Sequence, residues 1–150
     1  MATQMPTGAK AMSAAAFAVV GWLIANTYVE NMPTSEAVGR VREMTAVIGA
    51  ICGWKVMGPS VGKGYVESAA AGLKTVVVLV FMALLTVGVY EMVQLSTKMR
   101  YEGPLEAVVD IFARMMERAP PLSSLGVLVV MLIGGVVGGI LAENASRRWR

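Results

Sequence analysis

The chain has 150 residues, of which 56% are hydrophobic and only 15% are charged, with a formal net charge of +3. A chain this short and apolar has too little polar surface for a water-soluble domain, so we expect a single domain embedded in a membrane. It has no histidine and one cysteine. This excludes internal disulfides, Cys/His zinc sites, bis-histidine haem and Ser-His-Asp catalysis, and the small net charge does not indicate nucleic-acid binding.

The first apolar segment, residues 11–29, contains no charged side chain and predicts a membrane-spanning helix. Its small residues Ala14, Ala18, Gly21 and Ala25 recur three or four positions apart. This spacing places them on one helical face, where a neighbouring helix can approach closely.

The second segment, residues 38–57, is the shortest of four predicted spans. Its uncharged part, residues 44–54, covers roughly 16 Å as a helix, against a hydrocarbon core of about 30 Å. It crosses the membrane if Arg40, Arg42 and Lys55 extend outward from its two ends, and otherwise it is re-entrant. Its paired glycines favour a span packed tightly on another helix. They are Gly49 and Gly53.

The third segment, residues 69–93, is bracketed by Lys74 and Glu91. We expect both side chains to reach water at opposite membrane interfaces, because no neighbouring group in the sequence supports a proton-handling role.

An amphipathic helix is predicted over residues 104–119, where apolar side chains recur at helical spacing and charged ones take the other face. At this length it cannot span, so we expect it to lie at the membrane surface or to cover a groove between helices. Docking of a membrane-bound partner is the alternative. The apolar positions are Leu105, Val108, Val109, Phe112, Met115, Met116 and Ala119.

The last span, residues 124–142, has eleven Leu, Ile and Val side chains, which favour insertion by roughly 3 to 7 kcal/mol before its glycines are considered. Two overlapping GxxxG pairs predict a helix-packing face, because glycine lets helix backbones meet in lipid. The pairs are Gly134 with Gly138 and Gly135 with Gly139. A basic tail is predicted over residues 143–150. The expected fold is therefore an all-α, four-helix transmembrane bundle with one interfacial helix.

A glycine-rich, basic hinge segment, residues 52–65, separates the second and third spans. It differs from a phosphate-binding loop, because only three residues separate Gly58 from Gly62-Lys63 and a glycine follows the lysine. We expect a flexible turn that contacts anionic lipid head groups. Cys52 is expected to be a packed small side chain. The basic residues predicted to contact head groups are Lys63, Arg147, Arg148 and Arg150.

Three stretches resemble the TrgA family of small bacterial membrane proteins. They are Ile48-Gly-Ala-Ile-Cys-Gly-Trp-Lys-Val-Met-Gly-Pro59 with Gly62-Lys-Gly-Tyr65, Arg100-Tyr-Glu-Gly-Pro-Leu-Glu-Ala107, and Ile133-Gly-Gly with Leu141-Ala-Glu143 and Arg147-Arg-Trp-Arg150. The resemblance covers nearly the whole chain and implies a tellurite-resistance phenotype in Rhodobacter-like bacteria, without catalytic residues to transfer. Its most specific positions are Cys52, Gly53, Trp54, Lys55, Met57, Gly58 and Pro59. Lys55 stands where the family usually has arginine, which weakens any bidentate contact.

These observations favour a non-enzymatic protein of the bacterial inner membrane with no cofactor or metal. It would act by helix packing with itself or with a larger membrane complex, and membrane lipids are its other partners. Four crossings place seven Lys and Arg residues on the side of the termini and six on the other. The compact basic tail favours cytoplasmic termini. The alternatives are an accessory subunit of a respiratory or photosynthetic complex, and an oligomeric oxyanion transporter with an entrance formed by Lys55, Lys63 and Lys74.

Overall fold

A computed structural model of the protein describes residues 7–31, 40–99 and 102–148, which form helices and turns without a strand. The helices are α1 Thr7–Glu30, α2 Val41–Cys52, α3 Tyr65–Ser96, α4 Pro104–Arg118 and α5 Leu125–Arg148. The all-α prediction is confirmed. Three helices are long and apolar enough to cross a membrane. Their spans are Gly8–Glu30, Tyr65–Ser96 and Leu125–Arg148.

The long helices extend beyond the apolar runs that predicted them. α3 begins before residue 69 and ends after residue 93, and α5 continues through most of the predicted basic tail. Polar residues at a helix end still continue the backbone hydrogen bonds, and oppositely charged side chains four positions apart support them. Glu143 and Arg147 form such a pair at 3.1 Å. The predicted start of the second helix, Val38, and the tail residue Arg150 lie outside the described residues.

The second helical stretch changes from α-helical to π-helical and then to 3-10 geometry along its length. α2 stops at Cys52 and is followed by a π-helical turn, Gly53–Met57, and a 3-10 turn, Gly58–Ser60. Proline lacks a backbone N–H, so the helix cannot continue normally past Pro59. The chain then reverses through Gly62 and Gly64, whose φ angles of 99° and 126° favour glycine.

α1 and α2 pack antiparallel along a seam of glycines. Gly53 lies against Ser13, where an added Cβ would approach the Ser13 carbonyl oxygen to 2.5 Å. Eight residues earlier on α2, Thr45 lies against Gly21, where a Cβ would come within 2.6 Å of the Thr45 carbonyl oxygen. Gly49, between them, meets the backbone of α1 in the same way. The two backbones therefore approach too closely for any side chain at these positions.

α5 runs antiparallel to both α1 and α3 and uses its two glycine pairs on different neighbours. Gly135 and Gly139 face α3, whereas Gly134 and Gly138 face α1. A Cβ on Gly138 would meet the Phe17 ring at 3.1 Å. The glycines that were predicted from the sequence to pack helices thus lie between helices of the same chain.

Small polar residues lie in the packed interior beside an apolar core that includes Phe17 and Leu79, and many large apolar side chains are also exposed on the outer surface. Ser13, Thr45 and Thr75 are buried, and each hydroxyl donates to the carbonyl four residues earlier at 2.7 to 2.8 Å. Exposed apolar side chains on the three long helices include Val19, Trp22, Leu23, Val77, Phe81, Leu128, Ile133 and Val137. Because polar groups are satisfied inside and hydrocarbon faces outward, this surface suits lipid contact.

Candidate functional site

The hinge segment is attached to α5 by a buried carboxylate. Glu143 is only 1% exposed. Its carboxylate accepts hydrogen bonds from the Gly62 backbone N–H at 2.7 Å, the Ser68 hydroxyl at 2.9 Å and Arg147 Nε at 3.1 Å. Glu143, the first residue of the predicted basic tail, is thus buried near the end of α5, and these three donors make its burial possible.

The basic residues near the hinge differ in their surroundings. The Arg147 guanidinium lies over the Tyr65 ring, 4.6 Å from its centroid, in addition to its bond to Glu143. Such a cation–π contact holds the hinge end of α3 against α5. Lys63 and Arg148 are exposed. Contact with lipid head groups stays a prediction for these two side chains.

Of the seven most specific residues in the segment 52–59, some are packed and some are exposed. Met57 is fully buried, and its sulfur lies 3.9 Å from the Thr75 hydroxyl oxygen. Gly58 lies against the aliphatic stem of Lys10. The buried members are Cys52, Gly53, Met57 and Gly58, and the exposed members are Trp54, Lys55 and Pro59. The motif thus serves largely to pack the turn against α1 and α3.

At the opposite end of α3, Glu91 joins α3 to α4. Its carboxylate pairs with Arg114 at 3.2 Å and with Arg118 through the other oxygen. Arg114 also binds Asp110 at 2.9 Å. The hydrogen bond to Asp110 is the main reason that the pKa of Arg114 is raised above its ordinary value. The Glu91 side chain, which was expected to reach water at the interface, is 20% exposed and is also neutralised by two arginines on α4.

α4 is held against the bundle at two further points. Its backbone crosses α3 at Gly88, where an added Cβ would lie 3.1 Å from the Ile111 carbonyl oxygen, and Met115 is buried beside it. The Tyr28 hydroxyl donates to the Arg118 carbonyl oxygen at 2.8 Å, which connects the end of α1 to the end of α4. These contacts fix the orientation of α4 about its axis.

That orientation leaves most of the apolar face of α4 exposed. Leu105 is 77% exposed and Met116 is 74% exposed. The other large apolar side chains that remain exposed are Val108, Val109 and Phe112. Of the predicted apolar positions, Met115 is the buried one, because it faces the gap beside Gly88.

An open groove of about 640 Å³ lies between the end of α1, the start of α2 and the second half of α3. Its deep end is buried and includes Ile24, Ala25, Thr45 and Leu79. Its polar end includes Arg40, Tyr90, Glu91, Gln94 and Arg118. The groove combines an apolar interior with several hydrogen-bonding groups at one end, which is typical of a small-molecule site.

A second groove, of about 470 Å³, runs between α1 and α5 and is lined by apolar residues and glycine. Small residues line part of it: Ala15, Ala16, Gly134 and Gly138. The exposed large side chains beside them are Val19, Leu23, Ile133, Val137 and Leu141. Small residues between larger ones leave a depression that lets another transmembrane helix approach closely.

Sequence reasoning missed the partners of α3. Gly72, which lies against Gly135, and Gly88, which lies against α4, were not identified as packing residues. Isolated glycines inside an apolar helix were the available signal. For Glu91, the signal was the spacing of Arg114 and Arg118, since arginines four positions apart share one helical face.

Within the described residues, no group of three or more His, Cys, Asp or Glu side chains is positioned to hold a metal ion. Comparison of the chain with protein-family models, curated proteins and solved structures finds no match.

Proposed function

We propose that the protein is a non-enzymatic component of the bacterial inner membrane that binds another transmembrane helix in the groove between α1 and α5. The observation that carries this proposal is the groove itself, where small residues lie beside exposed apolar ones. In lipid, helices associate through close van der Waals packing, which such a surface provides. Gly134 and Gly138 in this groove already pack against Val20 and Phe17 of α1. A partner would therefore meet the groove at Ala15, Ala16 and the exposed apolar side chains beside them.

The proposal includes four membrane crossings, made by α1, α2 with its following turns, α3 and α5. Gly53 lies beside Ser13, and Thr45 lies beside Gly21. With the contact between Gly58 and Lys10, these contacts place the second helical stretch against residues 10–21 of α1, a helix long enough to cross a membrane. Its charged ends are then positioned to reach the two interfaces.

We place α4 at the membrane surface, with its exposed apolar residues in the lipid interface. Its charged groups Arg114 and Arg118 turn toward Glu91 instead of lipid. A helix with one apolar face and one satisfied polar face lies stably at the boundary between hydrocarbon and head groups. Lipids are accordingly partners of the protein at this helix.

The end that contains the hinge segment is proposed to face the cytoplasm. The contact between Gly58 and Lys10 and the bond between Gly62 and Glu143 bring the start of α1, the hinge and the end of α5 together. Basic residues accumulate on cytoplasmic segments. The basic side chains of this end include Lys10, Lys55, Lys63, Arg147 and Arg148.

The resemblance to the TrgA family suggests that the phenotype of this helix packing is tellurite resistance, with the partner supplying any chemistry. An accessory subunit of a respiratory or photosynthetic complex would use the same α1–α5 groove. An oxyanion path is less favoured by the geometry. Lys55, Lys63 and Lys74 are exposed toward the hinge end, whereas the larger groove opens beside Arg40 and Gln94 at the other end.

The test is native electrophoresis and affinity purification from the source membrane in a mild detergent. We expect the wild type to migrate as a complex and Ala15→Phe, which fills the α1–α5 groove, to lose it. Ala83→Phe is the matched control, because it adds the same side chain to the other groove. A wild type that migrates as a monomer, or an Ala15→Phe variant that keeps its complex, contradicts the proposal. Mass spectrometry of the complex distinguishes a second copy from a different protein.

A further inference from the structure

We infer that the groove between α2 and α3 binds one hydrocarbon chain of an amphiphile whose anionic head group is held by Arg40. Both grooves have α1 as one wall, but they are separate sites, since this one is completed by α2 and α3 and the proposed partner groove is completed by α5. The occupant follows from the size of the groove, the chemistry of its walls and the charges at its polar end.

The groove has the volume and length of a chain-binding site. Its volume of about 640 Å³ falls within the roughly 300 to 1,000 Å³ typical of small-molecule sites. Along α3 it extends from Leu79 to Gln94, a distance of about 22 Å at 1.5 Å per residue. A space of this length with apolar walls suits an extended chain better than a compact polar molecule.

The walls of the groove provide apolar contact over most of its length. Leu79 is fully buried at the deep end, together with Ile24 and Ala25. The Thr45 hydroxyl in the same region donates to the Val41 carbonyl oxygen and is already satisfied. The remaining wall residues are Met44, Val80, Ala83, Leu84 and Val87. A hydrocarbon chain therefore meets no unsatisfied polar group there.

The polar end carries a net positive charge that favours an anion. Glu91 is neutralised by Arg114 and Arg118. Arg40 is exposed and, among the described residues, forms no ion pair. Its guanidinium can therefore bind a phosphate or carboxylate, and Gln94 can contribute a further donor.

The polarity of the groove matches the orientation that a bilayer imposes. The apolar end lies beside Leu79, at the middle of a helix long enough to cross a membrane, and the polar end lies near the end of that helix. A lipid in the bilayer presents its chain and head group at the same depths. The chemistry is shared by an anionic phospholipid and a free fatty acid.

Native mass spectrometry of the purified protein in a neutral detergent tests the inference. The probes are dioleoyl phosphatidylglycerol, dioleoyl phosphatidylcholine and oleate, each titrated separately. We expect one phosphatidylglycerol or one oleate per chain, with phosphatidylcholine bound about tenfold more weakly. Retention of phosphatidylglycerol alone identifies a membrane phospholipid, and retention of oleate alone identifies a free fatty acid.

Two pairs of variants locate the site. Ala83→Phe should abolish binding, and Ala15→Phe, which fills the other groove, should leave it unchanged. Arg40→Gln should weaken anion binding about tenfold, whereas Lys98→Gln, an exposed charge change outside the groove, should have no effect. If Ala83→Phe does not fold, the comparison of Arg40→Gln with Lys98→Gln still tests the inference. Arg40 is exposed, so its substitution should not disturb folding. Equal retention of phosphatidylcholine, no retained probe, or wild-type binding by Arg40→Gln overturns the inference.

Discussion

The Glu143 carboxylate accepts a hydrogen bond from the Gly62 backbone N–H at 2.7 Å, although the two residues are 81 positions apart in the sequence. This bond fastens the hinge segment to the last helix, next to the Ser68 hydroxyl at the start of α3. The segment is therefore a constrained turn, although its glycines and lysines indicate flexibility when the sequence is read alone. Its positive φ at Gly62 aims the N–H at the carboxylate.

Replacement of Glu143 should destabilise the junction of α3 and α5. Glu143→Ala leaves the Gly62 N–H and the Ser68 hydroxyl without their acceptor, so we expect the free energy of unfolding to fall by about 2 to 4 kcal/mol. Thermal unfolding in detergent measures the loss, and limited proteolysis should detect new cleavage near Gly62. Glu67→Ala removes an exposed carboxylate from the first turn of α3 and should cost at most about 0.3 to 1 kcal/mol, without new cleavage. Equal stability of both variants would refute the anchoring role.

Replacement of Glu91 should release α4 from α3. Glu91→Gln keeps the shape of the side chain but removes the charge that pairs with Arg114 and Arg118. We expect the free energy that holds α4 against α3 to fall by about 1 to 3 kcal/mol. Hydrogen exchange should report faster exchange in residues 111–118 while the centre of α5 stays protected. Glu117→Gln, on an exposed position of α4, is the control. Unchanged protection in Glu91→Gln would show that the ion pairs do not hold the helix.

A single methyl group in the α1–α2 seam should separate the two helices. The Cβ of Gly53→Ala would lie 2.5 Å from the Ser13 carbonyl oxygen, a backbone atom that cannot move away alone. We expect a loss of about 1 to 3 kcal/mol, as in other overpacked sites. Gly103→Ala is the matched control, because an added Cβ meets no atom within 4 Å there. Calorimetry or a thermal shift assay compares the two, and equal melting temperatures would argue against a close seam.

Reporter fusions should distinguish a chain that crosses the membrane four times from one that crosses it three times. If the second helical stretch crosses, a reporter fused after Ser35 lies in the periplasm, whereas fusions after Lys63 and Arg150 lie in the cytoplasm. Alkaline phosphatase should be active only in the first fusion, and green fluorescent protein should fluoresce only in the other two. Activity on the same side for Ser35 and Lys63 would mean that the second stretch is re-entrant.

Several features of this protein follow from short-range patterns in its sequence. Uncharged runs predict the three long helices, because backbone groups in lipid must be satisfied within the helix. The 3.6-residue repeat between 104 and 119 predicts α4, and the spacing of Gly134, Gly135, Gly138 and Gly139 predicts close packing of α5. All of these signals are carried by residues within a few turns of one another.

Tertiary structure decided which faces meet and which charges pair. The sequence does not indicate that Gly135 and Gly139 face α3 while Gly134 and Gly138 face α1. These contacts, like the pairing of Glu91 with α4 and of Glu143 with the hinge, depend on the relative rotation and depth of helices distant in sequence. Many such arrangements satisfy the same local periodicity. The physical reason is that van der Waals packing and buried hydrogen bonds select among them only when all helices are assembled.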